Sequence, residues 1–138
     1  MDDCLFCKII KGEVPCYKVY EDQEVLAFLD ISQTTKGHTL VIPKEHFDSI
    51  LYCPKDLLSK VMGVAQKIAQ AEVVTLGAKG VNILINTGEA AGQTIHHFHV
   101  HVIPRYSDDD KIKLEFLSNK LEKINLPALA EEISNNVK

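Results

Sequence analysis

The sequence predicts an α+β domain with a mainly antiparallel five-stranded sheet, one long helix and a short N-terminal helix. Five short apolar-rich runs are each closed by glycine, proline or a polar cluster, as strands are. Only Lys55 to Leu76 sustains apolar residues at three- and four-residue spacing, the mark of an amphipathic helix. That helix sits between the third and fourth strands instead of alternating with every strand, which disfavours a parallel βαβ sheet. At 138 residues, a single domain over 1–138 is expected, long enough to bury a real core.

The elements follow in order. Residues 4–11, "CLFCKIIK", form a helical turn stopped near Gly12, with Pro15 just beyond. "YKVYED" and "EVLAFLDI" are two strands joined by a tight polar turn near Asp22. "TTKG" punctuates before a third strand, "HTLVIP", closed by Pro43. Leu58, Val61, Met62, Ala65, Ile68, Ala69 and Val73 mark one face of the long helix, and Gly77 is placed to end it. "VNILIN" is the fourth strand, "TGEAAGQ" a glycine-rich loop, and "TIHHFHVHVIP" the fifth strand. The tail holds "DDDK", read as a solvated turn, and two helical pieces broken at Pro127. The last piece, Leu126 to Val137, could pack across a partner subunit, but a tail helix on its own monomer is the plainer expectation.

Composition excludes several classes. A net charge of −4 offers no basic excess for a nucleic-acid backbone. No apolar run reaches the roughly 20 residues of a membrane span, so no membrane partner is expected. "MDDCLF" is acidic, unlike the start of a signal peptide, so the expected compartment is the cytoplasm. In that reducing setting, Cys4, Cys7, Cys16 and Cys53 read as thiols or metal ligands before disulfides. Cys16 and Cys53 stand alone and are expected to be small buried hydrophobes.

Four of the six histidines fall within Gln93 to Pro104, "QTIHHFHVHVIP". On a strand, His97, His99 and His101 would share one face with Ile95 and Ile103. His96, Phe98, Val100 and Val102 would take the other, mostly apolar face. Burying several titratable rings together has no packing advantage, so the row points to chemistry. Two chemistries fit: joint ligation of a metal with an open position, or a nucleophilic imidazole supported by its neighbours. In the preceding loop, Gly88 and Gly92 can turn backbone N–H groups toward an anion, while Asn86, Gln93 and Thr94 supply neutral polar contacts. Cys4 and Cys7 have the C-x₂-C spacing that brings two sulfurs to one metal, with His46 and His97 available as further ligands.

"GQTIHHFHVHVIP" matches the His-φ-His-φ-His-φ-φ pattern of the histidine-triad (HIT) family of nucleotide hydrolases and transferases. "CLFCKIIKGEVPCYKVYEDQEVLAFLDI" and "KGHTLVIPKEH" also resemble the histidine-triad nucleotide-binding proteins, so the likeness spans residues 4–104. The tail, 106–138, is not covered by these motifs. Thr94 and "IPR" are similar to the dinucleoside-polyphosphate-cleaving branch, and the N-terminal half to the purine phosphoramidase branch.

The resemblance implies an HIT-like fold and an enzyme that cleaves a purine nucleoside monophosphate from a phosphoramidate or phosphoanhydride-linked leaving group. His99 would attack the α-phosphorus and form a covalent nucleotidyl-histidine that water then hydrolyses. His101 would contact the phosphate, and His38 would complete a proton relay. Gln93, Thr94, Gly92 and Asn86 would surround the phosphate and leaving group. Asp30 would bind both ribose hydroxyls, and Phe6, Ile9, Phe28 and Ile31 would wall a purine slot. By analogy with distantly related uridylyltransferases, Cys4, Cys7, His46 and His97 would hold a structural zinc, and no catalytic metal would be required. Family members are homodimers joined through sheet edges, and an exposed edge has a physical reason to pair. The competing readings are a nucleotide-binding sensor without significant turnover, and a metal-dependent hydrolase using the triad as its metal site.

Overall fold

A computed structural model of the chain describes residues 3–117 and 124–138. The strands are β1 (Lys18–Glu21), β2 (Val25–Leu29), β3 (Thr39–Pro43), β4 (Gly80–Leu84) and β5 (Val100–Arg105). They form one sheet in the order β1-β2-β3-β5-β4, every neighbouring pair antiparallel. The helices are α1 (Leu5–Ile10), α2 (Lys55–Leu76) and α3 (Leu126–Ser134). The predicted α+β architecture is therefore present.

Local sequence explains the turns. Asp22 accepts the N–H groups of Glu24 and Val25 at 2.8 Å each, closing the β1–β2 hairpin. Gly77 ends α2 in the left-handed region, φ 70°, where a Cβ would be strained.

Strand alternation divides the sheet into two working faces. Val25, Ala27, Val41, Val100 and Val102 point toward α2 and pack on Val61, Val64, Ala65 and Ile68, with Phe98 among them. Leu26, Phe28, Leu40 and Ile42 point to the other face and pack under Phe6 of α1. Burying each such side chain is worth about 1.5–3 kcal/mol. A one-residue slip would exchange the two cores, so register is fixed from both sides. By the same alternation, Asp30, His38 and His101 belong to the α1 face, and Thr39 to the α2 face.

Two strand boundaries need correction. The fifth strand begins at Val100, not Thr94, so His97 and His99 precede it. Extending the β3–β5 register would place Phe98 opposite Pro43, which has no N–H to donate. Phe98 N–H turns instead to the Phe47 carbonyl at 2.6 Å. His38 likewise lies one residue ahead of β3 instead of opening it.

The tail also differs. Pro127 lies in the first turn of α3, where a missing N–H costs nothing, and Asn125 caps the helix at Ala128 N. The other tail helix was expected upstream; residues 112–117 carry no regular structure, and 118–123 lie outside the described residues. α3 has no buried residue, so the expected burial against its own monomer is not seen among the described residues. In "DDDK", Asp108 and Asp109 are solvated, but Asp110 accepts from Arg105 Nε and the N–H of Tyr106, both at 2.9 Å. Cys16 and Cys53 are half-buried, not core. Among the described residues, no helix is long and apolar enough to cross a membrane.

Candidate functional site

The α1 face of the sheet carries an apolar slot of about 250 Å³ that ends at Asp30. Four of the five predicted wall and ribose residues reach it as side walls: Ile9, Phe28, Asp30 and the outward-standing Ile31. Phe6, the fifth, is almost wholly buried and forms the floor, edge-on to Phe28 at 5.6 Å and to His99 at 5.2 Å between ring centroids. Sequence reasoning missed Leu5, Cys16, Leu40 and Ile95, which also line the slot. Their apolar character gave them no mark that separated lining from core. Leu5 and Ile95 also border a polar hollow of about 410 Å³ containing Asp48, Thr94 and His96. His96, assigned to the apolar face, is thus exposed at this rim.

Hydrogen bonds to groups that can only accept or only donate fix the imidazole tautomers. His99 Nδ1 lies 2.7 Å from the His97 carbonyl, so Nδ1 carries the proton and Nε2 keeps its lone pair. His38 Nδ1 accepts the Thr34 N–H at 3.3 Å, so His38 Nε2 carries a proton and donates it to His101 Nδ1 at 2.9 Å. His101 in turn keeps its proton on Nε2. Asp30 Oδ2 stands 3.7 Å from His38 Nε2, while Oδ1 accepts the Ser32 N–H at 2.8 Å. Asp30 therefore closes a turn with one carboxylate oxygen and faces His38 with the other.

Burial holds these rings neutral. It pushes His99 and His38 below the usual imidazole range, against the nearby Asp30 charge that favours protonation. His101 is driven to about 4, first by burial and then by His99 and His38. A neutral, singly protonated His99 with a bare Nε2 is a nucleophile at neutral pH.

The glycine loop is built differently from expectation. Gly88 and Gly92 do adopt φ of 84° and 95°. Yet the N–H groups of Gly88, Gly92 and Gln93 are spent on Gln93 Oε1, the Glu89 carbonyl and the Gly88 carbonyl. Those N–H groups are therefore not free for an anion. The Gln93 amide is occupied as well, donating to the carbonyls of Asp48 at 2.6 Å and Ile95 at 3.0 Å. Buried and saturated, Gln93 braces the loop instead of reaching a ligand. Gly92 serves through its backbone conformation, beside the Asn86 amide. The Thr94 side chain stays exposed.

Cys4, Cys7, His46 and His97 present ligand atoms that all lie within 4.8 Å of one another. His97 Nε2 donates to the Pro43 carbonyl at 2.9 Å, and His46 Nε2 to Asp48 Oδ1 at 3.0 Å. Both Nδ1 lone pairs therefore turn toward sulfur. His97 Nδ1 is 3.4 Å from Cys4 Sγ and 3.6 Å from Cys7 Sγ, and His46 Nδ1 is 3.4 Å from Cys7 Sγ. Tetrahedral zinc, with bonds of about 2.3 Å to sulfur and 2.05 Å to nitrogen, would separate such atoms by about 3.5 Å. The donor set fits zinc, and the Pro43 and Asp48 contacts fix ring orientation as second partners of ligating histidines do. Burial, with the Cys4 hydrogen bond and charge, raises Cys7 to about 11, and burial lowers His97 to about 4.

The triad does not converge as a metal site. His97 turns toward the cysteines, while His101 groups with Asp30 and His38. In that second group, the proton on His38 Nε2 blocks ligation unless the Thr34 bond is given up. Among the described residues, the three triad histidines do not gather into one ligand cluster, which disfavours the triad as a catalytic metal centre.

A protein of this fold, with a histidine triad below an apolar slot, matches the HIT domain family over residues 11–108. The chain belongs to that family. It is 50% identical to a crystallised HIT family protein of Bacillus anthracis, covering 99% of both chains with a TM-score of 0.93. It is 37% identical to the adenosine 5'-monophosphoramidase of Schizosaccharomyces pombe over 98% of both. A zinc-bound histidine triad family protein of Mycobacterium smegmatis aligns at 39% identity and TM-score 0.76, covering 98% of this chain and 99% of that one.

Proposed function

We propose that the protein is a nucleotide hydrolase or transferase that cleaves a purine nucleoside monophosphate from a phosphoramidate or phosphoanhydride-linked leaving group. The observation that carries this is the His99 Nδ1–H bond to the His97 carbonyl, which leaves Nε2 unprotonated on a ring packed against Phe6, the floor of the apolar slot. In this reading the purine enters the slot between Ile9, Phe28 and Ile31, above Phe6, and Asp30 binds the ribose hydroxyls. Asn86 and Thr94 contact the phosphate, and Gly92 and Gln93 act by shaping their loop.

The steps follow from the tautomers. His99 Nε2 forms a bond to the α-phosphorus as the bond to the leaving group breaks, and the leaving group takes up a proton from solvent. The Nδ1–H of His99 stays on the His97 carbonyl, which favours the cationic ring of the intermediate. His101 offers its Nε2–H to a phosphate oxygen, oriented by His38 through the 2.9 Å bond. Water then attacks the same phosphorus, the bond from phosphorus to His99 Nε2 breaks, and the water gives a proton back to solvent, which returns neutral His99 and the free monophosphate.

Cys4, Cys7, His46 and His97 are proposed to hold a structural zinc, whose bound charge would neutralise two thiolates and tie α1 to the sheet. The reaction itself needs no catalytic metal. The same reading makes the protein a cytoplasmic homodimer of a single 1–138 domain, joined through a sheet edge, with no nucleic-acid partner.

The test pairs an AMP phosphoramidate with a diadenosine polyphosphate as substrates. His99→Ala should abolish turnover of whichever is cleaved while retaining AMP binding, because slot and ribose contacts remain. Turnover at the wild-type rate in that variant would remove the mechanism. Tight AMP binding with negligible wild-type turnover of both would instead favour the sensor.

A further inference from the structure

Glu72 is a buried carboxyl with no role in the site as described so far. It projects from α2 onto the face of the sheet opposite the histidines, is 7% exposed, and its Oε1 has no hydrogen-bond partner. Its other oxygen, Oε2, lies 3.3 Å from the Thr39 hydroxyl, which itself stands 2.7 Å from the Gly37 carbonyl. That hydroxyl has one proton, and shared between a carboxylate and the Gly37 carbonyl it would make two weakened bonds. Both bonds reach full strength when Glu72 is the acid: its O–H donates to Thr39 Oγ1, and Thr39 donates to the nearer Gly37 carbonyl.

The Gly37 carbonyl belongs to the peptide unit whose nitrogen is that of His38. This peptide sits in the turn that aims His38 at His101. The turn is held from other sides by Thr35 Oγ1 on the Pro104 carbonyl at 2.6 Å and by Tyr106 O–H on the Lys36 carbonyl at 2.5 Å. Packing is tight here: a Cβ on Gly37 would lie 2.9 Å from Glu72 Oε2. We propose that Glu72, in its protonated form, is a positioning residue that holds the His38 turn through Thr39, and that its ionisation releases this hold. The inference rests on the role given to His38 above.

The surroundings favour the acid form. Apolar Val19, Leu29, Ile68 and Leu76 line the hollow around Glu72, and Lys36 on the turn and Tyr106 after β5 are the titratable groups facing it. Lys36 is exposed, and Tyr106 is a neutral phenol that burial and Glu72 both push upward. Burial raises Glu72 to about 7, and this outweighs the lowering that a Thr39 hydroxyl donated to the carboxylate form would bring. Below that pH the donor chain is complete. Above it the carboxylate competes with the Gly37 carbonyl for the single Thr39 proton, and the turn loosens.

The experiment has two readouts. Imidazole nitrogen signals of His38 and His101 are followed from pH 5.5 to 8.5 by NMR in wild type, Glu72→Gln and Thr39→Val, with the Glu72 carboxyl carbon followed in wild type. In wild type the His38 signals should inflect together with the carboxyl, near neutrality. Both variants should lose that inflection, since one cannot ionise and the other has no hydroxyl link. In kinetics, wild-type kcat/KM should fall by about threefold or more from pH 6.5 to 8 as this one group ionises. Glu72→Gln, which can donate as the acid does, should match wild type at pH 6 and stay level. A Glu72 that titrates in the ordinary carboxylate range, or a His38 inflection that persists in Glu72→Gln, would overturn the proposal. The NMR readout needs no turnover, so it decides this inference even if the proposed reaction fails. Wild type and Thr39→Val still decide it if Glu72→Gln does not fold.

Discussion

Zinc binding at Cys4, Cys7, His46 and His97 should release two protons, and this can be counted. Only thiolate ligates zinc, so each cysteine must give up its proton on binding. Cys7, raised to about 11, is a thiol at neutral pH and loses its proton only when the cation arrives. His97, lowered to about 4, is already neutral and contributes none. Two protons make the apparent zinc affinity rise about 100-fold from pH 7 to 8, or about 2.7 kcal/mol. Competition against a chromophoric chelator measures the affinity at both pH values. Calorimetry in buffers of different ionisation heat counts the protons directly. Cys4→Ser with Cys7→Ser should lose the stoichiometric zinc and lower the melting temperature, because α1 is then no longer tied to His97. His99→Ala should keep the metal, since His99 Nδ1 is committed to the His97 carbonyl. An affinity independent of pH would refute the thiolate site. Full zinc in the cysteine variant with none in His99→Ala would return the triad to the role of metal site.

Two substitutions probe the surroundings of the relay. Asp30→Asn keeps an oxygen for the Ser32 N–H but removes the charge, so ribonucleotide binding should weaken by about 1.5–3 kcal/mol. Binding of 2′,3′-dideoxy analogues, measured by the same titration, should hardly change; equal weakening of both would place Asp30 outside the ribose site. Gly37→Ala forces a side chain onto φ 102° with its Cβ 2.7 Å from Leu76 Cδ1 and 3.1 Å from Pro104 Cγ. Urea denaturation should show a loss of about 2–4 kcal/mol, with turnover reduced as His38 is displaced; a change under about 0.5 kcal/mol would contradict the packing.

The local periods of the chain were enough to mark its five strands and long helix, though not where the third and fifth strands begin. Apolar spacing from Lys55 to Leu76 marks α2, and Gly77 marks its end, because a helix repeats every 3.6 residues whatever it packs against. The triad and the C-x₂-C pair are likewise legible in linear order, whereas Asp30 is marked only by the resemblance to the family. Tertiary structure decided which groups meet and which atoms are left to react. Cys4 and His97 lie 93 residues apart and touch only because α1 lies across the end of β3. Pro43, opposite Phe98, stops the β5 ladder and leaves its carbonyl for His97, a consequence of register between distant strands. Gln93 looked like a ligand contact, but its amide is saturated by Gly88, Asp48 and Ile95, which no local pattern specifies. Glu72 looks like any polar residue of an amphipathic helix, until the sheet buries it against Thr39. Each of these depends on the position of one proton or lone pair, and a hydrogen-bond partner assigned by the fold fixes that position.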